Sequence, residues 1–341
     1  MIRCGSQCLT CDYPIHFDTY NGCQHACKYC YVKNKYSIDN VKPLNTTKSL
    51  KNYISGRRNF ETKWCDWKLP LHWGANSDPF QAAELKYKKS LECLQILADT
   101  GYPFIVSTKN PVLLTHETYL SLIEKSNVVL QVSMACGKYD ALEPYAPTYE
   151  ERLKAVKEIS GKVKRVIARV RPYFPDAHKD ILKEIPRYKD AGIYGISISA
   201  FYSFKKQKGM TKYGRTYQFS NDFLFPRYKE IKEECHKYGI EFLCSECGLD
   251  HMGDNLNCCG CNGLEGFTPN MFNVSHLAYD DIKPEATTAM KATDTWQPFK
   301  GIGQTQAWAK KCIGKSFEQL MYEVGGDRIE WLKEQKEKYR G

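Results

Sequence analysis

Thr19-Tyr20-Asn21-Gly22-Cys23-Gln24-His25-Ala26-Cys27-Lys28-Tyr29-Cys30-Tyr31 starts at the end of a strand-like run, His16–Tyr20, and puts three thiols on one loop. Three thiolates can hold three irons of a [4Fe–4S] cluster and leave the fourth without a protein ligand, whereas ferredoxin loops use four and close it. An open iron can take a substrate or cosubstrate, as a catalytic zinc keeps one open position. A zinc knuckle is the plainer alternative for the same three residues.

Outward from this loop, strand-like and helix-like runs alternate. Apolar strands are expected at Leu69–Trp73, Phe104–Ser107, Val128–Val132, Val163–Val170 and Ile193–Ile198. Helical spacing marks Ala82–Asp99, His116–Lys125, Tyr149–Ser160 and Asp180–Ala191, with Gly101, Gly161 and Gly192 just past three of the helix ends. Regular β–α alternation predicts a parallel sheet. Six such strands suit an α/β fold of the partial (β/α)6 TIM-type barrel, whose functional groups belong at the C-terminal strand ends. Beyond residue 220 follow a helix (Phe223–Tyr238), a short strand (Ile240–Leu243), a Cys- and Gly-rich loop to Gly266 and a charged amphipathic helix at Ser316–Tyr339. The expected units are an N-terminal Cys-containing segment (1–14), the barrel (15–220) and a Cys-rich metal-binding extension (221–341).

Composition excludes several classes. The 341 residues are 42% hydrophobic and 26% charged, ordinary globular values that rule out wholesale disorder. No run approaches the roughly 18 to 20 consecutive apolar residues of a membrane helix. Met1-Ile2-Arg3-Cys4-Gly5-Ser6 has no apolar signal core, so a cytoplasmic location without membrane attachment is expected. Sixteen Cys in such a chain argue for metal-bound thiolates over a disulfide scaffold. The net charge of +10 suits a polyanionic partner, or is simply a basic surface.

The Cys23–Tyr31 segment resembles the cluster loop of radical S-adenosylmethionine (SAM) enzymes, where an aromatic residue, here Tyr29, precedes the last Cys. It is similar in particular to the spore photoproduct lyase-like (DNA repair photolyase-like) branch. Ser77-Asp78-Pro79-Phe80-Gln81, Thr108-Lys109-Asn110, Leu142–Pro147 and Arg152-Leu153 match that branch in order, over about residues 15 to 200. The resemblance implies a [4Fe–4S] cluster on Cys23, Cys27 and Cys30 whose open iron chelates SAM. One-electron reduction by a donor such as flavodoxin or ferredoxin would cleave SAM to a 5′-deoxyadenosyl radical, which abstracts hydrogen from substrate. It further implies that Tyr29 flanks the cluster, Tyr31 approaches the adenine, and Ser77 and Asp78 contact the methionine amino end. Lys109 would meet the methionine carboxylate, Ser133 the ribose, and Arg171 the carboxylate or the substrate. Ordinary strand-end hydrogen bonding is the alternative for Ser77, Ser133 and Arg171. In spore photoproduct lyases a Cys precedes the Ser of Ser-Asp-Pro and returns hydrogen to the product radical. Asn76 stands there instead, which points away from the dimer-lyase reaction and toward a sister reaction on the same scaffold.

Two further Cys groups stand apart. Cys4-x3-Cys8-x2-Cys11 repeats the spacing but lacks the flanking residues, and reads as a partial ligand set for another centre. Cys244, Cys247, Cys258, Cys259 and Cys261 supply five thiolates for an auxiliary Fe–S cluster or, alternatively, zinc. Lys205, Lys206, Lys208, Tyr213 and Arg215 lie in a segment without Asp or Glu and suit phosphate contact and base stacking, or form a solvated loop. The leading expectation is a radical SAM enzyme acting on a nucleobase, nucleotide or nucleic acid in repair, isomerisation or modification. One alternative acts on a peptide or small metabolite with an auxiliary cluster. The other is a non-catalytic zinc protein that binds nucleic acid.

Overall fold

A computed structural model of the chain describes residues 2–5, 10–32, 40–59, 61–62, 65, 67–270, 273–279 and 326–340. Its centre is an eight-stranded sheet whose spatial order follows the chain. The strands are β1 (Arg3–Cys4), β2 (Ile15–Phe17), β3 (Leu71–Trp73), β4 (Phe104–Thr108), β5 (Val128–Ser133), β6 (Arg165–Tyr173), β7 (Gly195–Ala200) and β8 (Glu241–Cys244). β1 pairs antiparallel with β2, and every later pairing is parallel. The crossovers carry α1 (Thr47–Ile54), α2 (Lys89–Thr100), α3 (Glu117–Lys125), α4 (Tyr149–Ile159), α5 (His178–Asp190) and α6 (Asn221–Lys237). The architecture is the expected α/β partial barrel. Its last parallel strand comes from the segment beyond residue 220 and its edge strand from the first fourteen residues. Among the described residues no helix is long and apolar enough to cross a membrane.

The sheet has two unlike faces, set by the two-residue period of a strand. One row across it reads Trp73, Val106, Leu130 and Val166, all buried, with Phe17 stacked on Trp73 at 5.1 Å. This face carries the core, each large apolar side chain contributing about 1.5–3 kcal/mol on burial. The opposite face reads Ser133, Arg169 and Ser197 in one row and Ser107, Gln131 and Ile167 in the next. Parallel sheets are ordinarily apolar on both faces. A polar inner face therefore marks a lumen built for contacts other than packing.

The helix expected over Ala82–Asp99 is broken. Lys88 adopts φ 51°, separating a short helix (Ala83–Tyr87) from α2. The cause is Glu84, fully buried, whose carboxylate accepts from the Ser90 and Leu91 amides at 2.8 Å each and so caps the start of α2. A carboxylate there satisfies orphan N–H groups and favours the positive end of the helix dipole. Gly101 closes α2 at φ 59°, as read from the sequence. Of the charged helix expected at Ser316–Tyr339, Gly326–Lys338 is helical, and residues 316–325 lie outside the described residues.

Candidate active site at the barrel mouth

The three-Cys loop leaves the C-terminal end of β2. Its backbone is held by bonds that do not involve the thiols. Gln81 accepts from the Gln24 amide at 2.8 Å and donates to the Gly22 carbonyl at 3.0 Å. The Lys28 amide donates to Leu142 O at 2.8 Å, and His25 Nδ1 lies 3.1 Å from Tyr145 O. Cys27 is buried while Cys23 and Cys30 are part-exposed, and all three are free thiols. Burial pushes the Cys23 thiol up to about 12, with Asp78 adding, and burial pushes Cys27 up to about 11. Metal coordination reverses this, because a ligating thiol is deprotonated outright. Among the described residues no three His, Cys, Asp or Glu side chains gather within reach of one metal ion. The donor set, three thiols on one loop, fits an iron–sulfur cluster with one iron left open.

Around the loop stand the residues of the other matched stretches. Asp78 accepts from the Phe80 amide (2.9 Å), Thr108 Oγ1 (2.8 Å) and the Lys109 amide (2.6 Å), and lies 3.2 Å from His25 Nε2. Burial raises its carboxyl, but His25 and these amides outweigh burial and hold it below the usual carboxylate range. Ser77 Oγ donates to Tyr20 O at 2.8 Å, and Asp18 accepts from the amides of Asn76 and Ser77. The side chains of Ser77 and Asp78 are thus engaged in tying the loops of β2, β3 and β4 together. Glu143 is the second hub. Its carboxylate meets Lys109 Nζ at 3.3 Å, Arg152 at 2.5 Å and the Tyr29 hydroxyl. Burial raises Glu143 too, and Lys109 and Arg152 overcome it. Lys109 also lies 5.6 Å over the Tyr29 ring. Sequence reasoning assigned no role to Asp18, His25, Gln81 or Glu143. Three of them sit inside the quoted motifs, which was the signal available.

Deeper in the lumen a polar network runs across four strands. His72 Nε2 lies 2.9 Å from Ser107 Oγ, which also contacts Gln131 (3.0 Å) and Arg169 Nη1 (2.8 Å). Burial, then Arg169, lowers His72 far below its ordinary value, so it is neutral. Arg171 donates to Ser197 Oγ and, at 3.3 Å, to Cys258 O. Ser133 O accepts from Arg152, and Ser133 lines the same cleft as Arg169 and Arg171.

The Cys-rich loop fills the lumen from below. Gln131 donates to Cys259 O (3.4 Å), and Arg165 donates to Gly260 O (2.9 Å) and Asn262 O (2.7 Å). Gly260 has φ 75°, and a Cβ there would stand 2.3 Å from Ile167 Cδ1. Any side chain would force the plug off the sheet, an overpacking cost of about 1–3 kcal/mol.

This placement divides the five expected C-terminal ligands. Cys244 pairs in register with Ile198 and shares its apolar face, while Ser197 and Leu243, one residue earlier, face the plug. Cys247 is exposed and its Sγ accepts from Arg328 at 2.8 Å. Cys258, Cys259 and Cys261 lie in the plug, joined by Cys11 from the N-terminal segment. Burial first, then Cys258, pushes the Cys11 thiol up. A hydrogen bond from Cys259, opposed by burial and aided by Arg171, lowers Cys258 to about 6. Of the five, Cys244 alone lies on β8, where the two-residue alternation turns it to the face opposite the plug. Cys4 is buried in β1, and Cys8 lies outside the described residues.

The basic segment forms a three-stranded antiparallel flap of Tyr202–Ser203, Thr211–Tyr213 and Thr216–Gln218. Lys205, Lys206, Lys208, Tyr213 and Arg215 are all exposed on it. The Tyr202 ring lies 6.0 Å from that of Tyr31, which is 47% exposed, so the flap borders the cluster loop.

No family model matches the chain. It is 23% identical over 239 residues to the uncharacterized protein Rv2578c of Mycobacterium tuberculosis, covering 63% of this chain and 70% of that protein. It is 27% identical over 254 residues to the uncharacterized protein ORF301 of Acidianus two-tailed virus, covering 65% and 76%. Among solved structures it is similar to Streptococcus suis SuiB bound to S-adenosylmethionine, with 13% identity and a TM-score of 0.49 over 93% of this chain and 68% of that one.

Proposed function

We propose that the chain is a radical SAM enzyme whose substrate is a nucleobase, nucleotide or nucleic acid. The observation that carries the reading is the three-thiol loop at the C-terminal mouth of a partial barrel, fastened on every side by backbone contacts and by the Asp78 and Glu143 hubs. Cys23, Cys27 and Cys30 would hold a [4Fe–4S] cluster, which would supply the one-electron reduction of SAM on which hydrogen abstraction from substrate depends.

The chain's own residues do the rest. Gln81, Leu142 and His25 fix the loop so that the thiols need not find their places on loading. Tyr29, beside Lys109 and Glu143, walls the loop against water. Lys109, already at the mouth, is the cation for the methionine carboxylate, releasing part of its pairing with Glu143 to Arg152. Tyr31 and Tyr202 present two rings at the rim for a base. An electron donor of the flavodoxin or ferredoxin class completes the system. The lysines and Arg215 of the flap favour a polyanionic substrate over a neutral one.

Anaerobic incubation of reconstituted protein with SAM, a reductant and deuterated nucleotides or oligonucleotides tests this. Deuterium is expected in the 5′-deoxyadenosine released. Its appearance from deuterated peptides instead would overturn the substrate class.

A further inference from the structure

Arg169 and Arg171 occupy alternate positions of β6, so both guanidinium groups enter the lumen. Among the described residues neither is paired with a carboxylate. Arg169 donates to Ser107 Oγ, and Arg171 to Ser197 Oγ and Cys258 O, while both Nε atoms are buried without a partner. Of the two carboxylates that line the same cleft, Glu143 is already taken by Lys109 and Arg152, and Asp140 accepts from the Tyr149 amide. The Cys258 thiol, with Cys259 beside it, acts on both guanidinium groups, and one thiol gives at most one negative charge against their two. Two adjacent cations in a polar, part-buried lumen, with donor groups still open, are costly unless an anion joins them. The guanidinium fork is suited to planar, two-point contact with phosphate or carboxylate oxygens.

We propose that Arg169 and Arg171 form an oxyanion subsite that holds the phosphate monoester of a nucleotide substrate. The proposal rests on the enzymatic reading above and names its substrate more closely. Charge decides between the possible oxyanions. A phosphate monoester carries about −1.5 to −2 at pH 7 and matches two guanidinium groups. The methionine carboxylate of SAM carries one charge and has Lys109 at the mouth, and a phosphodiester also carries only one. Because the Cys258–Cys261 plug closes the lumen beneath, the phosphate enters from the cluster-loop side, past Ser133 and Tyr29. The nucleotide would thus lie with its phosphate down and its base toward Tyr31 and the flap.

The test measures binding of SAM, the four nucleoside 5′-monophosphates, their nucleosides and inorganic phosphate by calorimetry. It uses the reconstituted protein and its Arg169→Gln, Arg171→Gln and Arg169→Lys variants. At least one monophosphate is expected to bind about tenfold or more tightly than its nucleoside and to be displaced by inorganic phosphate. Each Gln variant should weaken it about 10- to 100-fold, the range of a lost charge-assisted bond, with SAM affinity within about twofold. Arg169→Lys should recover part of the loss, which checks that folding is not the cause. Absence of monophosphate binding to the unaltered protein overturns the subsite. Loss of SAM binding alone in the Gln variants also overturns it and gives the pair to the cofactor carboxylate. The same preparations are assayed for 5′-deoxyadenosine. Cleavage without phosphate binding sinks only the subsite, and Arg-dependent phosphate binding without cleavage sinks only the enzymatic reading.

Discussion

Cys27→Ala is expected to lower reductive cleavage of SAM to the background of protein-free controls while the chain stays folded. Cys27 is the buried member of the trio, and its loss leaves two thiolates, too few to hold a cluster with one open corner. The loop should persist, because Gln81, Leu142 and His25 hold its backbone independently of sulfur. Cys235→Ala is the matched control. That thiol is buried in α6, away from the mouth, so its removal should cost some stability and leave cleavage intact. The measurement is 5′-deoxyadenosine by mass spectrometry after anaerobic reduction, alongside the iron content of each variant. Product formation by Cys27→Ala at the level of the control would remove the site assignment.

Glu143→Gln should give the largest loss of stability of any single change at the mouth. The Glu143 and Arg152 side chains are each 2% exposed and Lys109 is 14% exposed, so solvent screens the ion pairs little. Removing one partner of a buried pair typically costs about 3–5 kcal/mol, because the remaining charge is left uncompensated. Here two cations lose their common counter-ion. The denaturant midpoint should fall accordingly, and iron retention should fall with it, since Glu143 also fixes Tyr29. The pH dependence has a defined sign. The folded carboxyl lies below its ordinary value despite burial, through Lys109 and Arg152. Its stabilisation is therefore fully present above the unfolded pKa of about 4.3, and it is lost as pH falls through the folded value. The unaltered protein should lose stability on acidification below about pH 4, and Glu143→Gln should lose less over that window. Equal midpoints at neutral pH would show that the hub contributes nothing.

Much of the barrel was legible because its outward face is built from β-branched and aromatic runs that also carry the core. Phe104–Thr108 and Val128–Ser133 were found almost to the residue. The edge strand Arg3–Cys4 was not, since two residues carry no period. The break at Lys88 was hidden because its cause, Glu84 capping α2, depends on a buried carboxylate that sequence reads as surface charge. At the site, the matched stretches did meet at the mouth: Cys23–Tyr31, Ser77–Gln81, Thr108–Asn110 and Leu142–Pro147 touch one another directly. Their internal bonding was not foreseeable, because it is made by backbone atoms and by residues up to 120 positions apart. The way the structure divides the Cys244–Cys261 group has a geometric reason. One residue along β8 reverses the face, so Cys244 leaves the lumen while Cys11, remote in sequence, enters it.

Mössbauer spectroscopy of iron-57-reconstituted protein, before and after adding SAM, is the most direct measurement of the central claim. Four irons at the Cys23, Cys27 and Cys30 loop are expected, one of them changing its signal when SAM binds and all of them lost in Cys27→Ala. Protein that takes up no iron, or a cluster whose four irons all stay unchanged on adding SAM, would contradict it.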